Sequence, residues 1–303
     1  MNKKGLLLGC MVLLSTFARA QQDPQYTQYM YNLSVINPAY AGSKDILNIG
    51  VLHRNQWTGF DGAPVTSSLF LHTPWGEKQG VGLSVITEEI GPVEETNLYA
   101  DYSYTIEIAD GHKLAFGLKA GVTLHEVGLI DLELNSPNDQ AFSSNSSESF
   151  FNFGAGAFYY TDRYYLSLSI PNLIKAEHLD INGIAYGNET SHFFIAGGYV
   201  FDLNTEIKLK PSFFVKTAFN APVSYDLNLN AKFYDRFEIG ASYRLDDSFS
   251  GLLNVDVFPW MQAGFAYDRV VSEIRAVAPS SYEVFLIFNI EFKQRRMLNP
   301  RFF

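Results

Sequence analysis

The sequence predicts a transmembrane antiparallel β-barrel of about fourteen strands, preceded by an irregular N-terminal arm or plug. Three observations predict it: an export leader, a long run of segments alternating with period two, and connections that alternate between short and long. Side chains on a strand point to opposite faces in turn, so a period of two with one greasy face marks a strand half in contact with an apolar medium. Residues 98–124 show the unit most clearly. Leu98, Ala100, Tyr102, Tyr104, Ile106 and Ile108 fall on one side, with Tyr99, Asp101, Ser103, Thr105 and Glu107 opposite. Asp110-Gly111 offers a tight turn. The second arm sets Leu114, Phe116, Leu118, Ala120, Val122 and Leu124 against Lys113, Ala115, Gly117, Lys119, Gly121 and Thr123. Arms of this length cross a bilayer at a tilt.

The first twenty residues read as a signal peptide. Lys3 and Lys4 are followed by a mostly apolar run to Phe17, and Ala18-Arg19-Ala20 is a small-x-small cleavage site, so the mature chain is expected to begin at Gln21. The rival is a lipoprotein signal at Gly9-Cys10, but Leu8 is a poor residue two before the cysteine and the apolar run continues past it. Cleavage removes the only cysteine, and with it any disulfide, thiolate nucleophile or Cys-based metal site. It also removes Lys3, Lys4 and Arg19 and no acid. Nineteen basic and thirty-two acidic residues remain, a net charge of −13, which argues against nucleic acid as a partner. No mature segment approaches the continuous apolar length of a transmembrane helix.

Residues 21–44 show no alternation and are rich in Tyr, Asn and Pro, with Tyr26, Tyr29, Tyr31 and Tyr40 spaced through them. These aromatics need a surface to pack on. Candidate strands then cover residues 46–56, 65–72, 80–88, 97–108, 113–124, 150–160, 163–170, 191–201, 207–217, 224–233, 237–244, 250–257, 261–268 and 282–292. This assigns 45–292 to the barrel and leaves 293–303 as a periplasmic tail. Even-numbered turns are short (109–112, 161–162, 202–206, 234–236, 258–260). Odd connections include the long ones (57–64, 125–149, 171–190, 269–281). Outer-membrane barrels place short turns in the periplasm and long loops outside, and an even strand count puts both termini in the periplasm. Trp57, Trp75, Tyr99, Tyr160, Tyr164, Phe201, Phe258, Trp260, Tyr282 and Phe292 lie near strand ends, where aromatic girdles form. A soluble β-sandwich also hides one face; the leader, the arm length and the connection rhythm favour the barrel.

No enzymatic chemistry stands out. The six histidines lack metal-ligand spacing. Gly80-Val81-Gly82 and Gly154-Ala155-Gly156 are too short for a phosphate loop, and small residues on a barrel's inner face explain them. The acid pairs Glu88-Glu89, Glu94-Glu95 and Asp246-Asp247 sit in expected loops, where solvated charge is the ordinary reading. One stretch, residues 51–64, crowds His53, Arg54, Gln56, Trp57 and Asp61 around glycines. It reads either as a strand ending in a Gly/Asp turn or as a donor-rich grip for a plug or partner.

The sequence resembles the PorP/SprF-type outer-membrane proteins of the type IX secretion and gliding systems of Bacteroidetes. The matching stretches are Asp23-Pro-Gln-Tyr-Thr-Gln-Tyr-Met-Tyr-Asn32, Ile36-Asn-Pro-Ala-Tyr-Ala-Gly42, His53-Arg-Asn-Gln-Trp57, Gly59-Phe-Asp-Gly-Ala-Pro64 and His72-Thr-Pro74. Later ones are Phe116-Gly-Leu-Lys-Ala-Gly121, Leu168-Ser-Ile-Pro-Asn-Leu173, Leu209-Lys-Pro-Ser212, Tyr267-Asp268 and the ending Asn299-Pro-Arg-Phe-Phe303. Asn299 departs from the Ser more usual there. The resemblance implies a fourteen-strand barrel, no enzymatic activity and no cofactor. Its implied partners are the type IX machinery and a large secreted client protein held at the surface, besides outer-membrane lipid. Asn37, Pro38 and Tyr40 of the arm, with His53, Arg54, Gln56, Trp57, Asp61, Gly62 and Pro64, are the expected family-motif contacts to a plug or partner. Loops 125–149 and 171–190 are expected to choose the client. Two alternatives remain: an outer-membrane channel for a small solute or lipid, lined by Asp101, Glu107, Lys119, Asp226, Asn228, Lys232, Glu238 and Arg244, and a soluble secreted β-enzyme.

Overall fold

Fourteen strands follow one another as an antiparallel meander and close on themselves in a computed structural model that describes residues 24–130, 145–174, 177–181, 184–188, 191–218 and 222–291. The expected leader (1–20), the tail (293–303) and Phe292 lie outside the described residues, as do parts of the 125–149 and 171–190 loops. The strands are β1 (Leu47–Asn55), β2 (Val65–Trp75), β3 (Gln79–Ile90), β4 (Val93–Ala109), β5 (His112–Val127), β6 (Ser146–Tyr160) and β7 (Tyr164–Ile170), then β8 (His192–Tyr199), β9 (Ile207–Ala218), β10 (Ser224–Phe233), β11 (Phe237–Arg244), β12 (Ser248–Phe258), β13 (Met261–Val270) and β14 (Ser280–Ile290). The last strand returns to the first, from Leu47↔Ile290 to Asn55↔Tyr282. Closure leaves no open sheet edge, and a chain crossing lipid needs this because unpaired backbone groups cannot be hydrated there. Phe201–Asp202 adds a two-residue strand beside β9.

The alternation read from the sequence is the alternation of the wall. Leu98, Tyr102, Tyr104, Phe116, Leu118 and Leu124 are exposed on the outside, while Asp101, Ser103, Lys119 and Thr123 are buried inside. Leu227, Leu229, Ile239 and Leu253 continue the apolar outer band. Such a surface, exposed all round a closed barrel, is of the kind that transmembrane barrels turn to lipid.

Every connection at one mouth is short: residues 76–78, 110–111, 161–163, 200–206, 234–236 and 259–260. This is the turn-side mouth. Gly111 sits at φ 69°, and Tyr234 and Asp235 are both left-handed, which lets a tight turn match the twist of its strands. The other, loop-side mouth carries the long connections, including 128–145 and 171–191. There β4, β5 and β6 run past their expected ends, so the expected 125–149 loop shrinks to 128–145. The 171–190 loop contains a hairpin, Glu177–Ile181 with Ile184–Asn188, where a plain loop was expected. Asn182-Gly183 between them is a hairpin signal in the sequence.

Two expected girdle residues belong elsewhere. Tyr99 and Tyr160 are buried and face inward, because they share the parity of Asp101 and Phe158. The belt at the turn-side mouth is made by Trp75, Phe201, Phe258 and Trp260, with Phe258 stacked on Trp260 at 5.2 Å and Tyr164 on Tyr199 at 6.0 Å.

Candidate functional site: the occupied lumen

The core of the molecule is the arm. Tyr26, Tyr29, Met30, Leu33, Val35, Ile36, Ala39 and Tyr40 are all buried, packed against inward residues such as Phe70, Phe158, Phe214 and Phe285. No period of two or 3.6 organises it. It folds as short turns: a 3-10 turn at Tyr29–Tyr31, one helical turn α1 (Leu33–Ile36) and a 3-10 turn at Pro38–Tyr40. Asn37 caps the last, its Oδ1 accepting from Ala39 N at 2.9 Å, and Pro38 starts it with a fixed φ.

The wall is shaped to let this backbone in. Gly80 on β3, Gly117 on β5 and Gly156 on β6 have no Cβ where one would strike the arm. The distances would be 2.1 Å to Ala41 O, 2.2 Å to Ala39 N and 2.0 Å to Asn37 Oδ1. Polar groups then lock the seat. Asn37 Nδ2 donates to Ser167 Oγ at 2.8 Å and to Ala157 O at 3.0 Å. Ser103 Oγ donates to Ala41 O at 2.7 Å, and Gly42 N to His72 Nδ1 at 3.2 Å. Tyr40 stands edge-on to His72 (5.3 Å) and to Phe158 (5.2 Å).

At the loop-side mouth the arm meets charge instead. Arg54 on β1 is buried and forms ion pairs with Asp268 on β13 (2.8 Å) and Glu283 on β14 (3.4 Å). Its guanidinium also donates to Thr27 Oγ1 at 2.7 Å. Thr27 Oγ1 donates to Asp268 at 2.8 Å, while the amides of Thr27 and Gln28 donate to the two oxygens of Glu283 at 2.9 and 2.8 Å. Arg244 on β11 grips Asp226 on β10 through two bonds, 2.8 and 2.7 Å, and donates to Tyr26 O at 3.0 Å. Buried charges are costly unless they are paired and hydrogen-bonded, and here the arm's backbone adds bonds to Glu283 and Arg244. Between the two ends, Tyr29 stacks on Phe214 at 4.3 Å, Tyr31 on Phe285 at 4.8 Å, and the Tyr31 hydroxyl donates to Glu238.

The residues singled out in the sequence therefore separate into three groups. Asn37, Pro38 and Tyr40 fill the lumen on the turn side, and Arg54 reaches it on the loop side. His53 has the opposite parity to Arg54 and faces outward, its Nδ1 2.9 Å from Ser67 Oγ. Gln56, Trp57, Asp61, Gly62 and Pro64 build the β1–β2 connection. Gln56 N donates to Pro64 O, Trp57 N to Ser281 Oγ, and Gly91 N to Gly62 O, all at 2.9 Å. Asp61 is exposed. Of the expected channel lining, Asp101, Lys119, Asp226, Asn228, Glu238 and Arg244 do face inward and are buried. Lys119 pairs with Asp101 at 3.0 Å, and Asn228 donates to Tyr29 at 2.9 Å. Lys232 pairs with Asp256 at 2.7 Å. Glu107 is different: it lies beside a bulge at the turn, exposed, and accepts from Gly111 N. Sequence reasoning missed the roles of Thr27 and Glu283, and read Gly80 and Gly156 as small inner-face residues without the arm that seats on them. Glu283 carries a signal in hindsight, as the one carboxylate in its strand, on the inward face with Phe285 and Ile287. Among the described residues no group of three or more His, Cys, Asp or Glu could hold a metal ion.

A pocket of about 440 Å³, counted with its open mouth, remains between the arm and the wall, lined by Tyr26, Val35 and Ile36 on one side and Ile86, Asn97, Tyr99, Asn172 and Phe194 on the other.

Solved outer-membrane barrels share this fold. The CymD monoaromatic hydrocarbon channel aligns with a TM-score of 0.52 at 12% identity, over 86% of this chain and 92% of its own. The Ralstonia pickettii toluene transporter TbuX aligns with a TM-score of 0.51 at 9% identity, over 84% and 92%. At such identities the likeness is one of fold alone. No curated protein matches the chain. The family model for the type IX secretion system membrane protein PorP/SprF matches residues 18–288, nearly the whole barrel and its arm, and the chain belongs to that family.

Proposed function

We propose that this protein is a non-enzymatic outer-membrane barrel that helps the type IX system secrete a partner protein, anchor it at the cell surface, or both. Family membership supports association with the secretion machinery. The observation that carries the choice between scaffold and small-solute channel is the occupied lumen. The arm runs through it from Tyr26 to Ser43, with aromatic contacts and with hydrogen bonds to charged, polar and backbone groups of strands around the wall. A wall whose inward charges pair with each other and hydrogen-bond to the arm is suited to holding a rigid platform, not to passing solute. The partner is then met at the mouths and loops. The loops point to the outside, the short turns and the C-terminal end of β14 to the periplasm, and the client is a large secreted protein chosen by the two long loops. Deleting the gene and assaying which large secreted proteins are lost from the cell surface tests this. Loss of display with secretion machinery intact is the expected result; unchanged display sinks the anchoring role.

A further inference from the structure

The arm has a direction. Its C-terminal end joins β1 at the turn-side mouth, where Ala41 and Gly42 lie on Gly80, Ser103 and His72. Its other end is at the opposite mouth. Gln25 Nε2 reaches Ser224 Oγ at 3.4 Å, the first residue of β10, and Arg244, which donates to Tyr26 O, is the last of β11. Thr27 and Gln28 bind Arg54 and Glu283, both within four residues of the loop-side ends of their strands. Pro24 borders the pocket beside Glu95 and Asn172, again at the loop side. The chain thus threads the whole barrel between Pro24 and Asp45. From a start at Gln21, three residues precede Pro24, and three residues span at most about 10 Å, too little to return through the lumen.

We infer that the mature N-terminus is displayed at the loop-side mouth, on the same side as the long loops, and not in the periplasm with the C-terminal end of β14. The inference rests on the expected cleavage before Gln21 and, for the word "periplasm", on the proposed orientation; that the arm's N-terminal end, at Pro24 and Gln25, lies with the loops is independent of both. The consequence is an interaction surface. A protein partner arriving at the loops meets the free end of the arm, with Pro24 and the pocket behind it, as part of the same face. The arm's only covalent tether is at the far mouth, so a partner that grips this end bears on the whole lumen filling.

Single cysteines in the otherwise cysteine-free mature chain test the placement: Asp23→Cys, Gln22→Cys as a second position, Glu273→Cys in the loop-side connection before β14, and Asp110→Cys in a turn. Each is treated with a membrane-impermeant maleimide on intact cells, on cells with a permeabilised outer membrane, and after denaturation. Gln22→Cys and Asp23→Cys labelling under the same conditions as Glu273→Cys supports the inference. Labelling under the conditions of Asp110→Cys overturns it, and so does labelling only after denaturation. If Glu273→Cys stays unlabelled on intact cells while Asp110→Cys reacts, the proposed orientation fails, and the arm's direction is still read from which of the two the N-terminal cysteines follow.

Discussion

Arg54 and Asp268 meet at 2.8 Å inside the barrel although a whole strand, β14, lies between theirs. Glu283 on that middle strand faces Arg54 in register and completes the group. Three neighbouring strands are thereby pinned to one another and to Thr27 of the arm. Removing the guanidinium leaves the Asp268 and Glu283 carboxylates buried without their ion-pair partner, which costs on the order of 3–5 kcal/mol. Arg54→Ala is expected to lower the thermal midpoint of the detergent-solubilised barrel, followed by circular dichroism. Arg54→Ala with Glu283→Gln is expected to recover part of the loss, since one of the stranded charges is gone. A single variant as stable as the parent contradicts the role.

Asn37 makes the corresponding joint at the turn side. Its amide bonds to Ser167, Ala157 and Leu168 and its carbonyl to Ala39. Each buried bond is worth about 1 kcal/mol net. Asn37→Ala is expected to speed hydrogen exchange of the Ala39 amide while the wall amides of β12 and β13 stay protected. Uniform loss of protection across the barrel would show the arm and wall unfolding as one.

Gly156 is predicted to tolerate no side chain. Its Cβ would stand 2.0 Å from Asn37 Oδ1. Overpacking of this kind costs about 1–3 kcal/mol. Gly156→Val should make the arm susceptible to protease in detergent-solubilised protein that keeps its barrel mobility on unheated gels. Gly251, with nothing near a Cβ, is the control: Gly251→Ala should leave the arm resistant.

Leu253 lies mid-strand on the outer face and is 57% exposed. A charge there meets hydrocarbon, at a cost of about 2–4 kcal/mol near the bilayer midplane. Leu253→Arg should reduce refolding into lipid vesicles, while Tyr234→Arg, in a turn, should refold like the parent. Equal refolding would argue that Leu253 faces something other than lipid.

How much of this was legible follows from what carries a period. The wall was readable strand by strand because each side chain's face is fixed by parity; β10 and β11 have the expected ends. Tyr99 and Tyr160 were misplaced by attending to strand ends and not to parity. The inward charges at Asp101, Lys119, Asp226 and Arg244 were visible as polar positions, but their partners were not. Pairing Arg54 with Asp268 requires barrel closure, which joins residues more than two hundred positions apart. The arm has no period at all. Its residues could be named as needing a surface, yet neither its path nor its direction is written in local spacing. Gly80 and Gly156 were recognisable as small wall residues, and only the arm's position explains why a Cβ is forbidden.

The arm fills the lumen, and conductance shows whether it closes it. Purified protein in planar bilayers is compared with a variant lacking residues 21–42. The full chain is expected to stay closed and the shortened chain to conduct. A full chain that conducts as well as the shortened one would contradict this, and would favour a channel for small solutes over a platform for a secreted partner.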